Sequence, residues 1–203
     1  MNRRLRSSIT LLCLAAASAW NSYAAGGAGV VDPQPFIDLA GSDEPLVEVY
    51  LSGPMLRTLS AGLIGEDPQS GKAVSALEAV TAVIVEVPPA KSDAARNLVR
   101  STQTRLLGSG WSVLARVRDK GDHVTVLTKT TGTGTLFDGL VVMVLSSEQI
   151  WDSDSTTETK ANVLQLIFAN IAGPIRLSDI GRIGSALELP GIDQIPHQKG
   201  SDQ

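Results

Sequence analysis

Cysteine occurs once, at Cys13, and histidine twice, at His123 and His197. Cys13 lies within an N-terminal leader, so the processed chain is expected to hold no disulfide, no thiol nucleophile and no thiolate metal ligand. Its stability then rests on packing alone. A Gly-x-Ser-x-Gly elbow and a His-Glu-x-x-His pair are both missing, which removes the common signatures of nucleophilic and zinc hydrolysis. Positive charge is also scarce, at 17 Lys and Arg against 21 Asp and Glu. Three of the 17 lie in the leader, leaving 14 against 21 and a formal charge of −7. A general nucleic-acid binder needs a basic surface to displace counterions, so nucleic acid is not an expected partner.

The leader is the most informative stretch that is present. Arg3, Arg4 and Arg6 give a positive start, a short apolar run covers Ile9 to Ala19, and Ser22-Tyr23-Ala24 offers small residues to a peptidase. This is the anatomy of a secretory signal peptide over residues 1–24, cut between Ala24 and Ala25. The run is about half the ~20 residues that span a bilayer, so no transmembrane segment is expected after cleavage. A lipoprotein signal needs small residues before its cysteine, and Leu11 and Leu12 stand there instead. Periplasmic or secreted location follows as the expectation. The 179 residues that remain suit one domain with a real hydrophobic core.

Along that chain, residues 25–35 are rich in Gly and Ala and predict a flexible lead-in, with a short helix around Phe36 to Ala40. Val47, Val49 and Leu51 alternate with Glu48 and Tyr50 and predict a half-buried strand. Ser52-Gly53-Pro54 signals a helix start, continued by Leu56, Leu59 and Leu63. Ser70 is placed to cap a second helix. The β-branched run Val80 to Val87 predicts a second strand, ended by Pro88-Pro89. Ser92 to Leu107 is the strongest helix, with Ala95, Leu98, Val99, Thr102 and Leu106 on one face and Arg96 and Arg100 pointing away. The period then changes to two. Trp111, Val113, Ala115 and Val117 alternate with Ser112, Arg116 and Arg118, and a hairpin returns from His123 to Thr130. Leu136 to Leu145 and Val163 to Ala172 are central strands, separated by a polar segment from Ser146 to Lys160. A last helix from Ser178 buries Ile180, Ile183 and Leu187. The expected architecture is α+β, a two-layer sandwich of a mainly antiparallel sheet with helices packed on one face. It forms a single domain over 36–191, with a disordered tail at 192–203.

Four stretches in this order resemble the family catalogued as domain of unknown function 4252: Val47 to Leu56, the hairpin Trp111 to Lys129, Phe168 to Gly173, and Leu187 to Gly191. The segment Asp152 to Lys160 departs from that pattern by its length. The resemblance implies an exported bacterial protein, encoded beside extracytoplasmic sigma-factor regulators and thus connected with envelope signalling. It supplies no catalytic residue, cofactor or metal ligand to carry over.

The remaining motifs favour structure over chemistry. Gly65 to Lys72 approaches a phosphate-binding loop, but five residues separate its glycines and Ala73 follows the lysine, so a helix-to-helix turn is expected. Asp152, Asp154 and Glu158 offer oxygen ligands to Ca²⁺, yet the turn glycine is missing and Val163 stands where the bidentate Glu belongs. Glu48 with Asp138 or Glu86 are the carboxylate pairs from which a hydrolase could be built. Lys91, Arg96, Arg100 and Arg105, with Arg116 and Arg118 beyond, concentrate positive charge on an acidic protein, and Arg96, Arg100 and Arg105 are the candidate interaction residues. The expected function is a non-enzymatic interaction or regulatory module with protein partners in the cell envelope. The alternatives are a binder of a small apolar ligand or lipid and, second, a carboxylate-dependent hydrolase.

Overall fold

In a computed structural model of the chain, residues 27–40, 46–65, 67–119, 122–130, 136–151 and 160–187 are described. The leader with its cleavage pair Ala24 and Ala25, the Asp152–Glu158 cluster and the tail at 192–203 lie outside them.

Six strands form one antiparallel sheet: β1 (Leu46–Ser52), β2 (Ala79–Val87), β3 (Trp111–Asp119), β4 (Asp122–Thr130), β5 (Phe137–Trp151) and β6 (Lys160–Ile175), in spatial order β1-β2-β6-β5-β4-β3. Consecutive strands β3 to β6 form the expected meander. The helices are α1 (Gln34–Ile37), α2 (Gly53–Ile64), α3 (Pro68–Ser75), α4 (Ser92–Gly108) and α5 (Ile180–Ala186). The α+β sandwich built on an antiparallel sheet therefore stands.

Placement of the helices differs from the expectation of a single covered face. On one face Leu56 of α2, Val74 of α3 and Ile180 and Ile183 of α5 pack on Val80, Val142 and Ile171. On the other, Phe36 of α1 and Ala95 and Leu106 of α4 pack on Val83, Met143 and Phe168. The cause is local. In β2, β5 and β6 successive side chains point to opposite faces, and both sets are apolar, so each face needs its own cover. The α4 helix joins β2 to β3 at the far edge of the sheet, and that crossover carries it over the second face.

Three further details depart from the sequence expectations. β5 and β6 continue through the polar segment, pairing from Ser146↔Gln165 out to Trp151↔Lys160. The cap of α3 is Asp67, not Ser70: its carboxylate accepts the N–H groups of Gln69 and Ser70 and the Ser70 hydroxyl. The lead-in is also held from Gly27 onward. Val31 N–H donates to Asn170 Oδ1 at 2.9 Å, and Asn170 Nδ2 donates to the carbonyls of Gly29 and Leu140 at 3.0 and 3.1 Å. Beyond it, the fully buried Phe36 stacks on Phe168 with ring centroids 4.3 Å apart. Composition predicted flexibility here because a Gly-rich run looks unrestrained. Yet Gly29 is what allows the approach: a Cβ on it would collide with the backbone of Asp138, and one on Gly139 would lie 2.7 Å from Gly29 Cα.

Candidate functional site

β3 does not alternate cleanly. Val113 pairs with Leu127 and Ala115 with Val126, so Leu114 is an extra residue in a β-bulge. Beyond the bulge the parity reverses. Arg116 is opposite Thr125 and Arg118 opposite His123, on the α4 face. Ala115 turns to the α2 face, where it packs with Leu114 on the first core. An uninterrupted strand would have sent both arginines the other way, with Ala115 and Val117 toward α4. The bulge takes up the extra residue and so keeps both charges on the α4 face.

The helix meets them there. Arg96, Val99, Arg100 and Gln103 recur at i, i+3, i+4 and i+7, one stripe of α4. Together with Arg116, Arg118, His123, Thr125 and Leu145 they line a surface groove of about 290 Å³. Its floor is closed by the buried Leu145 and Thr125, and its walls carry four guanidinium groups. Among the described residues no carboxylate is paired with any of the four. Arg96 and Arg100, singled out from the sequence, are therefore brought together with Arg116 and Arg118. Arg105 is exposed, one turn beyond, and does not line the groove; it sits in the last turn of α4, where a cation complements the helix dipole. Lys91 is engaged elsewhere, its Nζ donating to the Leu39 carbonyl at 3.2 Å. His123 is the second residue of β4, and neither it nor Gln103 stood out in the sequence because no local pattern reveals what a crossover helix will cover.

Guanidinium groups stay protonated, so what the four arginines offer an anion is charge and N–H donors, not proton transfer. Planar forks facing one groove suit carboxylate or phosphate oxygens. The hydrolase pairs, by contrast, are not assembled. Glu48 is opposite Val83 and faces α4, whereas Glu86, opposite Gln165, faces α2. Asp138 lies on β5, separated from β1 by β2 and β6, roughly 14 Å of sheet. Among the described residues no group of three or more His, Asp and Glu could hold a metal ion. No described helix is long and apolar enough to cross a membrane.

A second groove, of about 570 Å³, lies between α3 and α5 and is bordered by Lys72, Arg176 and Arg182. Sequence reasoning missed it, since its residues are about a hundred positions apart. Its charge is partly answered: Arg182 Nη1 is 3.3 Å from Asp179 Oδ1.

The family model for the domain of unknown function (DUF4252) matches residues 42–183, more than two thirds of the chain and every strand of the sheet. The chain belongs to the DUF4252 family. Searches of curated proteins and of solved structures found no match. In this DUF4252 domain the matched residues contain the whole arginine groove, and they exclude the segment 27–31 that Asn170 holds.

Proposed function

We propose that this DUF4252 protein is an exported, non-enzymatic interaction module of the cell envelope, and that the groove of Arg96, Arg100, Arg116 and Arg118 docks an acidic segment of a protein partner. The observation that carries it is the bulge at Leu114. A strand of this acidic chain breaks its ladder and turns two cations toward two more on α4, with no described carboxylate to neutralise them. Four like charges gathered in one groove repel each other, an arrangement that a bound polyanion relieves. The leader supplies the compartment. A protein partner is favoured over nucleic acid because the rest of the chain is net negative and would repel a long phosphate backbone.

Crosslinking in intact cells, followed by mass spectrometry, tests partner and compartment together. The wild-type chain should capture an envelope protein, and Arg96→Glu/Arg100→Glu should lose it. Arg105→Glu, outside the groove, should capture it as well as wild type. Equal capture by all three, or recovery of the chain from the cytosol with residues 1–24 intact, overturns the proposal.

A further inference from the structure

The sheet ends in β3 on one side and β1 on the other, and the two edges are built differently. β3 is bent by its bulge, carries Arg116 and Arg118, and has α4 against it, which are all devices that stop an edge from pairing. β1 has α2 against it and carries one charge, Glu48, but it has no bulge and no cationic side chain. Its register with β2 runs unbroken from Leu46↔Val85 to Ser52↔Ala79, and it contains no Pro, Lys or Arg. Val47 is 51% exposed and Val49 38%. No described strand pairs with its outer side.

About Val49, the apolar Val47 and Leu51 are equidistant in Leu46-Val47-Glu48-Val49-Tyr50-Leu51-Ser52. We infer that β1 is a dimerisation edge, on which a second copy of this chain adds its own β1 antiparallel about a two-fold axis at Val49. In that register Val47 meets Leu51, Val49 meets its own copy, and Glu48 meets Tyr50. Apolar residues then lie on the α2 face and no like charges stand directly opposite, as an isologous contact requires. Sliding the axis to Glu48 would oppose two carboxylates, which disfavours that register against the one at Val49. The apolar side chains continue a feature already present, since Val47 begins a row through Ile84, Ile167, Val144, Val124 and Val117 that crosses all six strands. The product is one continuous sheet, with each arginine groove at an outer end and open to its partner. Seven paired residues bury less than the ~800 Å² per copy of a standard interface, so the dimer forms reversibly with concentration.

Cysteine crosslinking in the full chain carrying Cys13→Ser tests this, because the introduced thiol is then the single one. Residues facing each other across the axis have Cα atoms about 4.5–5.5 Å apart, within disulfide reach. Val49→Cys should give a covalent dimer on mild oxidation. Val117→Cys, which is 49% exposed on the other edge, should give about a tenth as much or less. Val49→Lys, with wild-type circular dichroism, should sediment as a monomer at concentrations where wild type shows dimer. Equal crosslinking of Val49→Cys and Val117→Cys, or a wild-type chain that sediments as a monomer throughout, overturns the inference. Faster crosslinking of Glu48→Cys than of Val49→Cys overturns the register.

Discussion

Asn170 is 3% exposed in the middle of β6, and its side chain spends all three of its described hydrogen bonds on backbone groups: two on residues 29–31 and one on β5. An amide placed so deep is tolerated only when satisfied. Replacing it with alanine removes those bonds and leaves buried partners behind, so Asn170→Ala should destabilise the fold by about 2–3 kcal/mol. In thermal melts that is a fall in Tm of roughly 5–10 °C for a domain this size. Hydrogen exchange should show residues 27–31 losing protection first. An unchanged Tm would mean that the bonds contribute nothing net. At Asp67, the Ser70 hydroxyl and backbone N–H groups hold the carboxyl below its ordinary range. The folded-state pKa is thus depressed, so the stabilisation is complete above the unfolded value and is lost as pH falls through the folded one. Asp67→Asn should lower Tm at pH 7, and the gap from wild type should close as pH drops below ~3.9. A gap independent of pH would show that the charge is not involved.

At the scale of elements, the bulge is the feature that sets the site. Leu114 is the residue left over when Val113 and Ala115 take successive partners. Deleting it closes the ladder without turning Arg116 or Arg118 over, because their partners Thr125 and His123 are unchanged. ΔLeu114 should therefore bind an acidic peptide within about twofold of wild type, despite losing an apolar contact with the first core. Arg116→Glu/Arg118→Glu should weaken the same peptide at least tenfold, roughly 1.4 kcal/mol. Fluorescence anisotropy with a labelled glutamate decapeptide measures both. Loss of binding in ΔLeu114 with intact circular dichroism would show that the bulge itself, and not the parity it sets, forms the groove. Helix α4 was legible from its 3.6-residue period, including which side chains it buries. What it covers was not, because periodicity states that a face is apolar but not which strands it will meet.

For the whole molecule, burial runs from the centre outward. Leu140–Leu145 of β5 and Leu164–Ala172 of β6 are largely enclosed on both faces, while β1 and β3 expose much of their length. Amide exchange should follow that order, with Leu140–Leu145 and Leu164–Ala172 protected longest and β1 among the first to exchange below the concentration at which copies associate. Uniform protection across all six strands would contradict it. Charge acts at the same scale, since a groove of four arginines on a chain of net −4 is a local inversion of the surrounding field.

Composition, period and punctuation were enough to establish the export leader as an expectation, the α+β class, the meander and each long helix. These depend on neighbours within a few residues, and such short-range preferences are written directly in the chain. Tertiary structure alone decided that helices cover both faces, that Asn170 straps down a Gly-rich segment, and that Arg116 and Arg118 join Arg96 and Arg100. Each of those turns on pairing between residues far apart, where one skipped partner reverses a strand's facing and no local signal records it.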